Sequence, residues 1–301
     1  MSNYTDISIP LSPLHKYHIF NCGNEHRKIF FKKGDYARFL NKYKDYMLGF
    51  VDTFGYCLLE DHFHICFGLK SAEQIIKQAE EVDFGPVNSL FYRRYVLPWF
   101  FDMQSLEKNG FNEFGLTILP IWKEIDIYKL IPDIQFYSVG KLAELLNQVQ
   151  HPVCENAIEN ITQHHTKLDQ LTPLGQLASY IVSERLRRFL LSYSKIINLE
   201  NKRSGSLFQK AFRRKWLPSQ NEWKKVLTYI HHNPIHHNYA TDYDTYEHSS
   251  YSTLFGDLKT ALERTEVLTC YGGKSEMLEY HDKFKNQAWK TEPFFIENTN
   301  E

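Results

Sequence analysis

Two strand-like runs lie back to back in the stretch GYCLLEDHFHICFGL (55–69), and they restrict the fold of this chain more than any other feature. Residues 53–59 and 62–69 are apolar, aromatic and β-branched, as buried strands are. The chain turns between them at the sequence EDH. This turn is too short for anything but a tight hairpin or a bulged continuation of one strand.

A strand and a helix precede this pair. KYHIFNCGN (16–24) predicts a short strand that ends at a glycine turn, and GDYARFLNKYKDYMLGF (34–50) predicts an amphipathic helix that Asp35 is placed to cap. The apolar positions of this helix recur at helical spacing: Tyr36, Phe39, Leu40, Tyr43 and Met47. The order strand, helix, strand, strand predicts an α+β fold in which helices flank an antiparallel sheet.

The middle of the chain differs in character. Residues 71–170 contain eight basic and fourteen acidic residues, a net charge of −6, and mix aromatic pieces with helical ones. We interpret them as an inserted, mainly helical subdomain of unknown role. A long helix is predicted to follow over 172–198, with Thr172 as its cap and Pro173 in the first helical position.

Composition excludes several classes of protein. The first 20 residues have no basic segment followed by an apolar one, and no window reaches the roughly 20 apolar residues of a membrane span. We therefore expect a cytoplasmic protein that does not bind membranes. The five cysteines are odd in number and lack a CxxC pair, which favours reduced thiols over disulfides or a zinc knuckle.

His62 and His64 occupy positions i and i+2 of the second predicted strand, so their side chains point to the same face. Such a pair is either two hydrogen-bonded histidines of a core or two ligands of a metal ion. The paired histidines 164/165, 231/232 and 236/237 lack the thiolate partners of structural zinc, and we interpret them as surface or DNA-proximal.

The segment 201–225 is basic, with eight Lys or Arg and one acidic residue. It is either a solvated face or a phosphate-binding surface. Interleaved aromatic rings favour nucleic acid, because rings stack on unpaired bases. The candidate DNA contacts are Lys202, Arg203, Lys210, Arg213, Arg214 and Lys215.

A helix that could carry reactive side chains is predicted to run from the capping box of Ser219 and Glu222 to Pro234. Its apolar stripe consists of Trp223, Val226, Leu227 and Ile230. At about 100° per residue, Tyr229 and Asn233 fall together on one flank of this stripe, and His232 points away.

These segments together resemble the single-tyrosine HUH transposases, in particular the REP-associated tyrosine transposases. The resemblance rests on YHIFNCGN, YCLLEDHFHICF, SGSLFQKAFRRKW, YIHHNPIHH and SSY, and covers about two-thirds of the chain. It implies a ferredoxin-like HUH domain split into 1–70 and 171–256 by the insertion 71–170, with a helical tail over 257–301. Asp61 stands where this family usually has Asn, and Cys22 where Arg is common.

The resemblance also implies a function. It makes the chain a metal-dependent single-stranded DNA endonuclease and strand transferase acting on hairpin-bearing ends, as a monomer or homodimer. Tyr229 matches the nucleophile that forms a 5′-phosphotyrosine, whereas His62, His64 and Asn233 match the ligands of a Mg²⁺ or Mn²⁺ ion. Asp61 is close enough to be a further ligand or to orient a histidine. No nucleotide cofactor is required.

Alternatives remain at this stage. A domesticated protein would bind DNA hairpins without cutting them, and a metal phosphodiesterase would use water in place of tyrosine. Tyr193 and Tyr251 also lie in family-like segments and compete with Tyr229 for the role of nucleophile. Tyr193 either packs or contacts DNA, and SSY (249–251) is interpreted as a structural corner.

Overall fold

The computed structural model of the chain describes residues 11–83, 173–209 and 212–286. The predicted insertion, apart from its first 13 residues, therefore lies outside the described residues, as do Lys210 and the histidine pair 164/165. None of the helices in the described part of the chain has the length and apolar character needed to cross a membrane.

The described residues form an α+β structure around one antiparallel sheet. Its strands are β1 (Lys16–Cys22), β2 (Val51–Leu58), β3 (His62–Leu69) and β4 (Arg213–Trp216). Their order across the sheet is β2-β3-β1-β4. The predicted hairpin is confirmed, because β2 and β3 pair antiparallel and Leu59 donates its N–H to the carbonyl of His62.

Strand alternation divides the sheet into two faces. Residues paired directly across strands share a face, so His18, Phe20, His62 and His64 lie together with Arg213 and Lys215. We call this side the histidine face. The other side, the apolar face, carries the intervening residues Tyr17, Ile19, Phe63, Ile65 and Phe67, all of which are buried.

Three helices cover the apolar face: α1 (Lys33–Met47), α2 (Ala72–Asp83) and α3 (Pro173–Glu200). The ring of Phe39 on α1 meets Phe189 and Tyr193 of α3 at 4.8 and 5.1 Å between centroids. Tyr193 is fully buried and donates its hydroxyl to the carbonyl of Ile29, so it packs in the core.

The boundary predicted at residue 70 is misplaced. Helix α2 packs against α3, and its residues Ile75, Ile76 and Ala79 belong to the same core as the sheet and α1. These side chains lie three and four residues apart and form one apolar stripe, which is buried with the first segment of the chain. An insertion can therefore begin only after α2.

Four helices pack on the histidine face: α4 (Gln220–His236), α5 (Tyr251–Phe255), α6 (Arg264–Tyr271) and α7 (Lys274–Asn286). Their core includes Trp223, Val226, Leu227 and Ile230, which confirms the predicted stripe of α4. Val267 and Met277 join this core. Residues 257–286 are therefore part of the folded body, and the described part of the predicted helical tail contains the helices α6 and α7.

The local signals at the helix ends act largely as expected. Ser219 caps α4 by accepting the N–H of Glu222 at 3.2 Å. Asp35 closes the start of α1 from its third position, because its carboxylate accepts the N–H groups of Phe31 and Lys32. The predicted stop at Pro234 is wrong by two residues, since α4 continues to His236 with this proline in its last turn.

Gly55 sets how closely α4 approaches the sheet. A Cβ atom at this position would lie 2.5 Å from Cδ1 of Leu227 and 2.9 Å from Oγ of Ser250. Both distances are below van der Waals contact, so a side chain here would push α4 away. The glycine thus allows the helix that carries Tyr229 to rest directly on β2.

Candidate active site

β3 and α4 bring four of the predicted residues together. The rings of His62 and His64 lie 5.2 Å apart on the histidine face. Tyr229 and Asn233, one turn apart on α4, face them. The amide Oδ1 of Asn233 lies 2.9 Å from Nε2 of His62, and the Tyr229 ring meets His64 edge-on at 5.7 Å between centroids. The predicted flank of α4 therefore reaches the histidine pair.

Asp61 determines which ring nitrogen of His62 carries a hydrogen. Its Oδ1 lies 2.7 Å from Nδ1 of His62, and a carboxylate can only accept, so Nδ1 carries a hydrogen. In a neutral ring Nε2 then presents a lone pair to the carbonyl oxygen of Asn233. Two lone pairs face each other at 2.9 Å unless a proton or a cation lies between them.

Burial and hydrogen bonding act in opposite directions on Asp61. Partial burial raises the pKa of its carboxyl, but the hydrogen bond and charge interaction with His62 outweigh it, so the net pKa lies below the ordinary value. The carboxylate thus stays ionised near neutral pH. It contacts the nitrogen of His62 that points away from Asn233, so the structure places Asp61 behind the histidine and outside the group of candidate ligands.

His64 is buried beside His62 and Tyr229. The residue is 4% exposed, and its Nε2 has no hydrogen-bond partner among the described residues. Its Nδ1 lies 2.9 Å from Nε2 of His18, on the neighbouring strand. Burial, together with the nearby histidines, lowers the pKa of His64 well below its ordinary value, so the ring is neutral.

The two imidazoles and the amide oxygen are side chains of the kinds that bind divalent metal ions. Within residues 11–83, 173–209 and 212–286, no group of three or more His, Cys, Asp or Glu side chains is arranged to hold a metal ion. The candidate set here is different, since it combines two imidazoles with one amide oxygen. Two ligands at about 2.1 Å from an octahedral ion are about 3.0 Å apart. The 2.9 Å between His62 Nε2 and Asn233 Oδ1 agrees with that spacing.

The predicted DNA contacts do not form one surface. Arg213 and Lys215 lie on the histidine face, opposite Phe20 and His18 respectively. Arg214 is 1% exposed on the other face and packs over the ring of Phe212, so its prediction as a DNA contact is wrong. Strand alternation is the reason, because three consecutive residues of β4 cannot share a face.

The remaining predicted contacts lie after α3. Lys202 is exposed in the turn that follows this helix. Arg203 reaches the carbonyl of Lys28 and packs over the ring of Phe31. These contacts place Arg203 against Lys28 and Phe31, in the segment that leads into α1.

The other flank of α4 carries a second histidine cluster, and its hydrogen bonds have a fixed direction. Nδ1 of His281 donates to the carbonyl of Met277, so its Nε2 accepts from Nδ1 of His231 at 3.0 Å. Nε2 of His231 then accepts the hydroxyl of Ser250 at 2.9 Å, and Ser250 Oγ accepts the N–H of Tyr56. One chain of hydrogen bonds thus joins β2, α4 and α7.

This cluster corrects one prediction and supports another. His231 and His232 are 0% and 2% exposed, so their interpretation as surface residues is wrong. His232 donates from Nδ1 to Tyr243, whose hydroxyl donates to the carbonyl of His281. Ser250, within the predicted SSY corner, also bonds its own N–H to the carbonyl of Tyr56, so the corner is structural.

Two site neighbours were not predicted from the sequence. His18 contacts His64 through the hydrogen bond described above, and the ring of His237 lies 4.9 Å from that of His62. A usable signal existed only for His18: it has the same strand parity as Phe20 and stands in a run that predicts a strand. The register between β1 and β3, which sequence does not supply, decides its partner.

Comparison of the chain with family models, with curated proteins and with solved structures gives no match.

Proposed function

We propose that this protein is a metal-dependent single-stranded DNA endonuclease and strand transferase that uses Tyr229 as its nucleophile. One observation carries the proposal. The ring of His64 lies 5.2 Å from that of His62, Nε2 of His62 lies 2.9 Å from Oδ1 of Asn233, and Nε2 of His64 has no hydrogen-bond partner in the described part of the chain. A buried polar atom left in this state is expected where a ligand binds.

The topology supports the same proposal. The described elements follow the order β-α-β-β-α-β, with α2 and α3 between β3 and β4, and the sheet order reads 4-1-3-2 from its other edge. This order supports the ferredoxin-like arrangement that the resemblance to HUH transposases implies. Residues 84–172 would then be an insertion between α2 and α3.

The side chains have separate tasks in the proposed reaction. The Tyr229 oxygen attacks a backbone phosphorus, the bond from phosphorus to O3′ breaks, and the released 3′-oxygen takes up a proton. The products are a 5′-phosphotyrosine and a free 3′-OH, and the later attack of a 3′-OH on the same phosphorus restores the tyrosine. Each step exchanges one phosphoester for another, so a nucleotide cofactor is not needed.

His62, His64 and Asn233 would hold the Mg²⁺ or Mn²⁺ ion. Such an ion supplies charge stabilisation at the phosphoryl oxygens when bound. Asp61 holds His62 in orientation through Nδ1, and Arg213 and Lys215 bring positive charge to the histidine face. Arg213 is half-buried and can contact the backbone of single-stranded or hairpin DNA without reading its sequence, whereas Lys215 is 7% exposed and contributes through its charge.

The test is covalent capture. Labelled hairpin-bearing single strands are incubated with the protein and Mn²⁺, and the products are separated under denaturing conditions. We expect a protein-linked DNA band that is lost in Tyr229→Phe, while binding of the same DNA is retained. Tyr193→Phe is the matched control, because Tyr193 is also a buried tyrosine but its hydroxyl bonds to Ile29 in the core.

Each other outcome of this experiment indicates a different function for the protein. An adduct that persists in Tyr229→Phe assigns the nucleophile to another residue. Cleavage without any protein-linked product indicates a phosphodiesterase that uses water. Tight hairpin binding with no cleavage in Mg²⁺ or Mn²⁺ indicates a domesticated DNA-binding protein.

A further inference from the structure

His18 lies beside the candidate site and has no part in the reaction proposed above. It is 5% exposed on β1, and its Nε2 is 2.9 Å from Nδ1 of His64. Its ring centroid lies 4.8 Å from that of Phe20 and 5.0 Å from that of His64, and these two neighbours are themselves 5.8 Å apart. The three rings form one cluster on the histidine face, which restrains the His18 imidazole.

One proton lies between the two imidazoles, and its position decides what His64 can do. If His18 donated it, His64 would carry its hydrogen on Nε2. That N–H would be buried with no acceptor among the residues described, and orphaned buried N–H groups are rare in native proteins. If His64 donates from Nδ1, its Nε2 keeps a lone pair that points into the site, as a metal ligand requires.

His18 has a ring nitrogen placed to accept this proton. Its Nε2 faces Nδ1 of His64 at 2.9 Å, and the ring is 5% exposed. A neutral imidazole has one nitrogen with a lone pair, and the contact with His64 is where that lone pair is used.

We propose that His18 is a positioning residue that accepts the Nδ1 proton of His64 and holds the His64 imidazole in the tautomer with a bare Nε2. The same arrangement orients metal-binding histidines generally, where a partner on the far nitrogen fixes the tautomer. The identity of the bound ion rests on the proposed function, but the tautomer is a property of the metal-free protein.

The test compares His18→Gln with His18→Leu. The carbonyl oxygen of glutamine reaches about as far as Nε2 of histidine and can accept a proton, whereas leucine cannot. Histidine side-chain nitrogens are labelled with ¹⁵N, and the His64 signals are assigned by their loss in His64→Ala. We expect the Nδ1–H tautomer of His64 in the metal-free wild type and in His18→Gln, and a shift toward Nε2–H in His18→Leu.

Metal affinity gives the second measurement. Titration with Mn²⁺, followed by electron paramagnetic resonance, should show about 10- to 100-fold weaker binding to His18→Leu and a change of less than about threefold in His18→Gln. An Nε2–H tautomer in the wild type overturns the proposal even if the leucine variant does not fold. Unchanged tautomer and affinity in a folded His18→Leu overturn it as well.

The two proposals fail separately. If the tautomer follows residue 18 but wild-type protein never forms a DNA adduct, the positioning role stands and the proposed function falls. If the adduct forms while substitution of residue 18 leaves the tautomer unchanged, the proposed function stands and the positioning role falls.

Discussion

Two histidine clusters lie at the two flanks of α4, and they differ in whether their ring nitrogens have hydrogen-bond partners. On one flank His231 sits in a directed chain in which each of its ring nitrogens has a partner, from Ser250 to His281. On the other flank the His62–His64 pair meets Asn233, and Nε2 of His64 finds no hydrogen-bond partner within the described residues. Both clusters are largely buried and lie on the same side of the sheet.

The difference separates stability from function. A satisfied buried network rigidifies the structure around it, whereas a partly satisfied one lowers stability and persists where a ligand completes it. The cluster of His231, His281 and Ser250, which we call the closed cluster, joins α4 to β2 and α7. It therefore fixes the helix that carries Tyr229. In the proposed function, the open cluster of His62, His64 and Asn233 would bind the metal ion beside this helix.

Removal of His64 should produce the largest effect, and that effect should fall on activity. Charge stabilisation of several kcal/mol depends on the bound ion, so adduct formation by His64→Ala should fall by about 1,000-fold or more. Its free energy of unfolding, measured with urea, should fall by about 1–3 kcal/mol, because Nε2 of the buried His18 loses its partner His64. A loss larger than this would place His64 with the closed cluster.

His231→Phe should do the opposite. The phenyl ring fills the space but leaves the Ser250 hydroxyl and Nε2 of His281 without the partners they have now. Each such group costs about 1–3 kcal/mol, so we expect the free energy of unfolding to fall by about 2–4 kcal/mol. His236→Phe, at the half-buried end of the same helix, is the control and should change stability by less than about 0.5 kcal/mol.

Acid should weaken the closed cluster next. Burial lowers the pKa of His281 to about 4, and that of His231 well below its ordinary value. Below about pH 6.5 these histidines therefore bind protons in the unfolded chain but not in the folded chain. The free energy of unfolding falls as the pH decreases from there toward 4. For His281 alone the loss between pH 7.5 and 5 is about 2 kcal/mol.

Urea unfolding at these two pH values measures this loss in the metal-free protein. In His281→Gln the pH-dependent part should shrink by about the share assigned to His281, with the other buried histidines supplying the remainder. An unchanged difference between the two pH values would show that His281 does not titrate in this range.

Asp61→Asn should give the smallest effect. The amide oxygen still accepts from Nδ1 of His62, but the negative charge that strengthens this hydrogen bond is gone. We expect Mn²⁺ affinity to fall by about tenfold. Asp52→Asn is the matched control, since Asp52 pairs with Lys70 at the other end of the hairpin and should leave the affinity unchanged. Loss of all binding in Asp61→Asn would return Asp61 to the ligand set.

Features encoded locally were predictable from the sequence. The capping box at Ser219, the apolar stripe of α4 and the spacing of Tyr229 and Asn233 depend on residues within two or three turns of each other. The shared face of His62 and His64 follows from strand alternation alone. The same rule applied to β4 would also have removed Arg214 from the predicted DNA contacts.

Features that depend on long-range pairing were not predictable. The partner of His18 is set by the register of β1 against β3, and His281 lies 50 residues beyond His231. The role of Asp61 depends on the geometry of the hairpin turn, which aims its carboxylate at the rear nitrogen of His62. Sequence alone therefore left Asp61 open as a ligand and placed His231 on the surface.

The hydrogen bond between the Tyr56 N–H and Ser250 joins residues 194 positions apart. This separation delays the burial of β2 while the chain is being synthesised. A ribosome adds about 5–20 residues per second, so roughly 10–40 s pass between emergence of β2 and arrival of its partner. During that time the histidine face of the nascent hairpin, with Phe54 and Cys66, lacks the helices that later bury it. The growing chain is thus exposed to aggregation at this surface, and chaperones that shield apolar strands would raise its yield.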